Sequence, residues 1–325
     1  MRDVAVTFLV CSYNQERFVE HAVRAALSQD YCSVEVLLSD DCSVDRTFEV
    51  MERLAAEYRG PHRIILNRNP RNLGIGAHLN RMMDLATGQL IVASAGDDIS
   101  LPHRTSRIVS EWKLRGCKPD SIYSMVKRMS PEGVDLGVDA FRSHDRWDDR
   151  EFVVRHGGCV LGAGHAWTRR MWDAFGPMSP TVVNEDWVLP LRASLMGGVC
   201  RIDEPLVRYR VGVSTWHHKG ALGRSGAARR QRLRHYFDLA VQTSAQALTD
   251  VRLVGDSALV SAAQARLREA EMMREVCRNP WISPQALAGD MRKGVSMQRV
   301  AAAAARAWLP MADWLLTNAR RTARR

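Results

Sequence analysis

The stretch Gly88-Gln-Leu-Ile-Val-Ala-Ser-Ala-Gly-Asp-Asp-Ile-Ser-Leu-Pro102 joins a short apolar run to two adjacent acids. Residues 90–93 have the length and composition of a buried parallel strand, with turn residues on both sides. Asp97 and Asp98 follow this run, so we expect both carboxylates just past the carboxyl end of a central strand, where open α/β sheets bind ligands. Two neighbouring acids repel each other unless a cation or a donor lies between them, which favours a hard divalent ion bound together with substrate phosphates. An Asp-Asp turn that caps a helix near residue 102 explains the same residues without any ligand.

Three further strands are predicted before this stretch. The apolar runs at residues 4–10, 34–38 and 63–66 have strand length, and a polar turn or loop follows each of them. Apolar residues at helical spacing come after each turn. Alternating strands and helices at this spacing predict a parallel, doubly wound sheet of the α/β class, in which the polar loops meet at one edge. That edge is the predicted site.

Composition and charge argue against several other classes of protein. The seven cysteines are scattered and show no CxxC spacing, which favours reduced thiols over a disulfide framework or a zinc site. The net charge of +10 arises in residues 219–325, which contain 19 Lys and Arg but 8 Asp and Glu. Because the rest of the chain is nearly neutral, no nucleic-acid partner is expected. No signal segment or apolar run of membrane-spanning length is visible, so we expect a cytoplasmic location.

The chain is predicted to divide after residue 218. Residues 1–218 would form the catalytic domain, which is expected to end in two short strands at residues 199–202 and 206–211. Residues 219–325 would form a basic helical C-terminal region. The aromatic and basic residues near its end suit the interface of an anionic membrane, which would make the protein peripheral on the cytoplasmic face. A helix that packs on the catalytic domain explains the same pattern equally well.

Four segments of the N-terminal part resemble glycosyltransferase family 2. In chain order they are Phe8-Leu-Val-Cys-Ser-Tyr-Asn14, Leu38-Ser-Asp-Asp-Cys-Ser-Val-Asp-Arg-Thr47, Asn72-Leu-Gly-Ile-Gly-Ala-His-Leu-Asn80 and Ala93-Ser-Ala-Gly-Asp-Asp-Ile99. The resemblance implies the GT-A fold, in which a Rossmann-like nucleotide-binding half is joined to an acceptor half. It also implies inverting transfer of a sugar from a nucleotide-diphosphate sugar to an acceptor hydroxyl, in surface polysaccharide or glycoconjugate synthesis. A UDP-sugar is the favoured donor, and a saccharide or lipid-linked acceptor is expected.

The resemblance also assigns site residues on the donor side. Residues that would bind the nucleotide sugar are Ser12, Tyr13, Asn14, Asp40, Asp41, Asn72, Gly74 and Asp98. Asp97 matches the family acid that touches the metal, so Mg²⁺ or Mn²⁺ is the implied cofactor. The family motif commonly begins with a further acid, and this chain has Ala95 there, which leaves one fewer ribose or metal contact.

A second acidic site is expected at Glu185 and Asp186. Proline is best tolerated in a first helical turn, so Pro190 places a helix start close after Asp186 and puts both acids at a loop-to-helix junction. A helix cap alone would explain one acid. The resemblance makes Asp186 the catalytic base, with Glu185 as the reserve, and it places the Gly-rich segment 157–164 on the acceptor side. Arg192, on the same helix, would either orient a carboxylate or face solvent.

Two other functions remain open. A nucleotidyltransferase of similar fold would need a Gly-rich, basic loop after the first strand, and residues 11–17 contain no glycine. A catalytically inactive nucleotide-sugar-binding or scaffold protein is favoured only by Ala95 and by Gly212, which stands where related sequences carry a histidine. His217 and His218 are candidate replacements for that histidine.

Overall fold

The computed structural model describes residues 3–32, 34–139, 143–213 and 226–278 of the 325-residue chain. Contacts divide the chain into two compact units, one of Met1–Val153 with Gly157–Ser214 and one of Val154–His156 with Thr215–Arg325. The domain boundary predicted after residue 218 falls among residues 214–225, which lie outside the described residues, and it stays a prediction.

The first unit is built around one twisted sheet. Its described strands are β1 (Val6–Ser12), β2 (Val34–Asp40), β3 (Arg63–Arg68), β4 (Leu90–Ala95), β5 (Ile99–Ser100), β6 (Ser121–Met129), β7 (Asp135–Val138), β8 (His165–Thr168) and β9 (Val199–Arg210). The order across the sheet is β3-β2-β1-β4-β8-β6-β9-β5, and β7 pairs with β6. Neighbours from β3 to β4 are parallel, as are β6 and β9, whereas β5, β7 and β8 run antiparallel to their partners. The predicted mostly parallel α/β sheet is confirmed.

Helices connect these strands and form the second unit. In the first unit they are α1 (Val19–Leu27), α2 (Thr47–Glu57), α3 (Ile75–Leu85), α4 (Arg104–Leu114), α5 (Arg150–His156, whose last three residues are assigned to the second unit), α6 (Arg169–Phe175) and α7 (Glu185–Leu195). The second unit contains α8 (Gly226–Val254) and α9 (Ser257–Arg278). Phe237 on α8 and Cys277 on α9 are buried together against Leu233 and Met273. The helical C-terminal region is therefore confirmed over these two ranges, while residues 279–325 lie outside the described residues.

The central strands are mostly apolar because both faces of the sheet are covered. Phe8, Val36 and Val92 are cross-strand neighbours in one buried cluster, which α1 and α2 help to form. Leu9 and Leu37 face the opposite side and pack in a second cluster with residues of α3, α6 and α7. Successive strand residues point to opposite faces, so a strand covered on both sides has apolar residues at odd and even positions alike.

Strand β9 differs from the sequence prediction. Two short strands were expected around Pro205, but the structure has one strand, Val199–Arg210. The register of β9 against β6 shifts where Met125 pairs with Pro205, so a bulge carries the strand past the proline. Because proline lacks the N–H that a regular ladder needs, such an irregularity is where a sheet tolerates it. The continuous strand brings its last residues, Tyr209 and Arg210, to the carboxyl edge of the sheet.

The strand registers place the ends of β1, β2 and β4, which carry the predicted site residues, next to one another. Ser12 pairs with Asp40 at the ends of β1 and β2, and Cys11 pairs with Ala95 at the end of β4. The loops that follow these three strands therefore leave the sheet side by side. No helix within the described ranges is both long and apolar enough to span a bilayer.

Glu35 ties the opposite end of this sheet together. Its carboxylate accepts hydrogen bonds from the Thr7 hydroxyl at 2.7 Å, from the Thr87 N–H at 2.8 Å and from the Thr87 hydroxyl at 2.7 Å. Arg63 on β3 contributes an ion pair at 3.1 Å. One buried side chain on β2 thus links β1, β3 and the turn before β4.

Replacing this carboxylate should destabilise the fold without touching the predicted site. We expect Glu35→Leu to lower the free energy of unfolding by about 3 kcal/mol, because the buried Thr7 hydroxyl and the two donors of Thr87 would lose their acceptor. Urea denaturation measures this change. Glu52→Gln, at an exposed position on α2, is the matched control and should change stability by less than about 0.5 kcal/mol. Equal stability of the two variants would contradict the role given to Glu35.

Candidate active site

The turn after β1 carries three predicted nucleotide-sugar-binding residues. Ser12 is buried, and its carbonyl accepts the Asp41 N–H at 2.9 Å. Tyr13 is half-buried and Asn14 is exposed. Asn14 has a left-handed φ of 52°, and its amide oxygen accepts the Val44 N–H at 3.0 Å. The turns after β1 and β2 therefore support each other at the edge of the sheet.

Asp40 and Asp41 serve different loops. Both Asp40 oxygens accept hydrogen bonds from Ser43, one from its N–H at 2.9 Å and one from its hydroxyl, and Arg68 lies 3.6 Å away. Asp41 holds the loop before α3, because it accepts the N–H groups of Leu73 and Gly74, each at 2.9 Å. Both carboxylates thus shape the turns that would surround a nucleotide.

The loop before α3 is set by glycine geometry. Gly74 has a left-handed φ of 77°, and α3 begins directly after it at Ile75. Asn72 is exposed on this loop. A side chain at residue 74 would be strained, so the glycine is needed for the turn whether or not a nucleotide approaches it.

A buried polar chain beneath this edge was missed from the sequence. His78 Nδ1 lies 3.3 Å from Cys11 Sγ, and its Nε2 lies 2.6 Å from Ser39 Oγ. Asn67 donates to Ser39 Oγ at 2.9 Å and to Asn69 Oδ1 at 3.0 Å, and the Asn69 amide donates to the Asp41 carboxylate at 2.8 Å. Burial lowers the pKa of His78, so its neutral ring can bridge two partners. No spacing in the sequence indicates this chain, because its members come from four separate elements.

Asp97 and Asp98 lie where the sequence predicted, just past β4. The Asp98 carboxylate accepts the Arg210 N–H of β9 at 2.8 Å. Burial, and then the negative charge of Asp97, raise the pKa of Asp98 well above its ordinary value. Burial also raises the pKa of Asp97, which a hydrogen bond from the Gln15 side chain and the charge of Arg210 oppose. The Asp98 carboxylate is therefore bound to β9. In the described residues, the Asp97 carboxylate accepts no main-chain N–H group from that strand.

Arg210 supports this acidic loop and was not predicted as a site residue. Its Nε donates to the Asp97 carbonyl at 3.0 Å, and its Nη1 donates to the carbonyls of Ser130 at 3.2 Å and Pro131 at 2.6 Å. The guanidinium also lies 4.6 Å from the centre of the Phe18 ring. The candidate replacements for the missing family histidine, His217 and His218, lie outside the described residues.

The surroundings of Asp97 fit a hard divalent cation. Two oxygens, Ser12 Oγ and Gln15 Oε1, lie close to Gly96, the residue before Asp97: a Cβ placed on Gly96 would be 2.0 Å and 2.4 Å from them. Both oxygens are buried, and neither has a hydrogen-bond partner in the described part of the chain. Within that part, no group of three or more His, Cys, Asp or Glu residues could hold a metal by itself. Mg²⁺ commonly binds through one or two carboxylates together with substrate phosphates, so a single carboxylate flanked by neutral oxygens suits an ion that arrives with its donor.

The second acidic site begins α7. The helix starts at Glu185, not after Asp186 as predicted, and Pro190 lies in its second turn. Burial raises the pKa of Glu185 to about 7. Burial and the neighbouring Glu185 charge raise the pKa of Asp186 well above its ordinary value. Arg192 is fully buried rather than solvent-facing, and its Nη1 donates to the Gly176 carbonyl at 2.7 Å.

The charges of both acidic sites raise the pKa values of two groups at the edge of the sheet. Burial raises the pKa of the Cys11 thiol, and the charges of Glu185, Asp41, Asp40 and Asp97 raise it further. Burial, together with Asp98, Asp97, Asp139 and Asp186, raises the pKa of Tyr209 to about 12. The geometry agrees with these shifts, because the turn Gly162–Gly164 packs on β4 and a Cβ on Gly162 would lie 3.4 Å from Glu185 Oε1 and 3.8 Å from Asp186 Oδ2.

Solved structures with similar architecture identify the fold class. TarS of S. aureus, solved in complex with UDP-GlcNAc, aligns with a TM-score of 0.55 at 13% identity, over 92% of this chain and 90% of that one. The mannosyltransferase PcManGT of Pyrobaculum calidifontis, in complex with GDP-Man and Mn²⁺, aligns with a TM-score of 0.53 at 20% identity, over 96% and 86%. The first unit therefore has the predicted glycosyltransferase GT-A fold.

Sequence comparison then finds the family that the motifs predicted. Residues 7–118 match the family described as glycosyl transferase family 2. Similar proteins include the putative glycosyltransferase EpsE of Bacillus subtilis, 36% identical over 105 residues, which are 32% of this chain and 37% of that protein. The succinoglycan biosynthesis protein ExoO of Rhizobium meliloti is 34% identical over 113 residues, 35% of this chain and 31% of that one. The matched region thus spans about a third of each of these relatives.

The raised pKa of Glu185 predicts a specific pH dependence of stability. Because the folded state disfavours the charged form, this group stabilises the fold fully below pH 4.5, and its contribution is lost as the pH rises from 4.5 to about 7. We therefore expect Glu185→Gln to gain about 1–3 kcal/mol relative to the unmodified protein over this interval. Urea denaturation at several pH values measures the difference. A difference that does not vary with pH would contradict the assignment, and Glu52→Gln serves as the control.

Proposed function

We propose that this protein is an inverting glycosyltransferase that moves a sugar from a nucleotide-diphosphate sugar to an acceptor hydroxyl. The observation that carries the proposal is the packing of the turn Gly162–Gly164 against β4, since Asp97 directly follows β4 and Gly162 borders Glu185 and Asp186. Besides burial, the charges of Asp97 and Asp186 both raise the pKa of Tyr209, which is consistent with this placement. Inverting transfer requires a donor site and a base that act on opposite faces of one sugar carbon. The match to family 2 over residues 7–118 supports the same reaction class.

Asp97 would contact the cation on the donor side. Mg²⁺ or Mn²⁺ bound there would supply Lewis-acid stabilisation of the charge on the departing nucleoside diphosphate. Ser12 and Gln15 contribute the neutral oxygens beside Asp97, and Arg210 holds the loop in place through the Asp97 carbonyl. Asp98 would contact the nucleotide sugar through its second carboxylate oxygen, because the Arg210 N–H of β9 binds Oδ1.

Asp186 would accept the proton of the acceptor hydroxyl. A general base works best when its pKa lies near the working pH, and burial moves both α7 carboxyls in that direction. Glu185 and Asp186 titrate as a pair, so a proton on Glu185 favours the ionised form of Asp186. Glu185 is the reserve base if Asp186 serves only to orient the acceptor.

The substrates follow from the relatives and the fold neighbours. The neighbouring structures contain UDP-GlcNAc and GDP-Man, so both nucleotide classes are suitable donor probes, with a UDP-sugar favoured. ExoO is named for succinoglycan biosynthesis, which supports a saccharide or lipid-linked acceptor in surface polysaccharide synthesis. Attachment to the cytoplasmic face of a membrane through residues 296–325 is a further hypothesis; those residues lie outside the described ranges, and liposome sedimentation with and without them is its test.

The direct test is release of nucleoside diphosphate from a panel of UDP- and GDP-sugars with Mg²⁺ or Mn²⁺. The proposed enzyme releases a nucleoside diphosphate from at least one donor. Pyrophosphate formation from a nucleoside triphosphate and a sugar phosphate would instead indicate a nucleotidyltransferase. Donor binding with no turnover would indicate an inactive nucleotide-sugar-binding protein.

Two isosteric variants should separate the two acidic sites. We expect Asp97→Asn to abolish metal-dependent donor binding, because the ion would lose its carboxylate ligand. Asp186→Asn should keep donor binding and lower transfer by a factor of about 10²–10⁴, as expected for loss of a general base. Calorimetry measures binding, and product formation measures transfer. Full activity in both variants would show that the site is wrongly assigned.

A further inference from the structure

A main-chain bond joins the start of α7 to the Gly-rich segment 157–164. In a regular helix the Asp186 carbonyl would accept the N–H of residue 190, but residue 190 is proline and has none. The Val160 N–H donates to this carbonyl instead, at 3.1 Å. Val160 is itself 1% exposed, so the bond is shielded from water. Pro190 thereby leaves the Asp186 carbonyl available to bind the Gly-rich segment.

Gly162, two residues further along, faces the acid pair. A Cβ built on it would lie 3.4 Å from Glu185 Oε1, 3.5 Å from Asp186 Cβ and 3.8 Å from Asp186 Oδ2. These are ordinary van der Waals distances, so alanine would fit without a clash. The side of Gly162 that lacks a side chain is therefore the side that borders the two carboxylates.

The fold itself gives no reason for glycine at this position. Every other glycine described between residues 3 and 213 either has a left-handed φ or would bring a Cβ within 3.0 Å of another atom. Gly164, for example, would place a Cβ 2.7 Å from the Ser124 carbonyl oxygen. Gly162 has neither constraint, and glycine is the residue that loses most conformational freedom on folding. What its small size leaves free is the position of one methyl group beside Glu185 and Asp186.

We infer that Gly162 is a specificity-determining residue, which leaves room for the hydroxyl-bearing carbon of the acceptor, and that Pro190 positions it through the Val160–Asp186 bond. The inference rests on the proposed function. A hydroxyl that gives its proton to Asp186 must lie within hydrogen-bond reach, so its carbon lies about 3.5 Å from the carboxylate. A methyl group on residue 162 would occupy that shell. Water, which has no such carbon, would still reach the base.

Comparing transfer to a glycoside with transfer to water separates this role of Gly162 from general damage to the site. The unmodified protein and Gly162→Ala are compared with the donor and cation that support turnover, and with methyl glycosides of glucose, galactose and mannose as acceptor probes. We expect Gly162→Ala to lower the ratio of glycoside transfer to donor hydrolysis by about tenfold, which is about 1.4 kcal/mol in the barrier to transfer. Gly162→Val should lower it further, while calorimetric binding of UDP or GDP stays unchanged. An unchanged ratio in both variants would overturn the inference.

Failure of the proposed function gives a different result. An unmodified protein that neither transfers nor hydrolyses any donor removes the proposed reaction, and the role of Gly162 with it. An unmodified protein that hydrolyses donor but glycosylates no member of the panel contradicts the acceptor class on which the inference depends.

A second measurement needs no substrate. In Pro190→Ala the new N–H can bond the Asp186 carbonyl and compete with Val160, so hydrogen exchange at the Val160 amide should accelerate about tenfold. Ser194→Ala, on the same helix, keeps the proline and is the matched control; its Val160 amide should exchange as in the unmodified protein. Unchanged exchange in Pro190→Ala would show that proline is not what holds the Gly-rich segment.

Discussion

The site depends on one constraint: the acidic groups buried at one edge of the sheet need donors or an opposite charge nearby. Removing a carboxylate from water is costly unless donors or an opposite charge compensate it. Arg210 supplies both after β4: its N–H binds the Asp98 carboxylate, and its side chain binds the Asp97 carbonyl and two carbonyls before β7. The last residue of β9 therefore fixes the loop in which the predicted metal-binding acid lies. The bulge at Pro205 matters for the same reason, because it lets β9 continue to that residue.

The two halves of the site are built differently. On the donor side, carboxylates and amides are engaged with main-chain groups, as when Asp41 accepts the N–H groups of Leu73 and Gly74. That arrangement gives a rigid, pre-shaped edge. On the α7 side, Glu185 and Asp186 have raised pKa values, and burial is the first cause for each. Burial also raises the pKa values of Asp97 and Asp98 after β4, but there Arg210 binds the Asp98 carboxylate and the Asp97 carbonyl. A carboxyl whose pKa is raised by burial is suited to exchanging protons, whereas a carboxylate that accepts main-chain N–H groups is suited to holding a shape.

Several features of the fold could be predicted from the sequence because they depend on local pattern. The run at residues 90–93 became the core of β4, and the alternation of apolar runs with helical spacing gave the parallel order of β1 to β4. The insertion of β8 between β4 and β6 could not be predicted. This strand has four residues, His165–Thr168, which is too short for a periodic signal, and its antiparallel direction is set by the strands on either side.

For the site, the sequence determined which residues were acidic and which strand ends would present them: Asp97 after β4 and Asp186 at a helix start. Local chemistry is enough for this, because a buried strand followed by acids defines an edge wherever the strand is placed. Only the tertiary structure decided what each acid contacts. The bond from Arg210 to Asp98 spans 112 residues, and the place of Val160 against Asp186 depends on a helix that supplies no N–H at residue 190. Such contacts follow from packing between distant segments, and no local spacing specifies them.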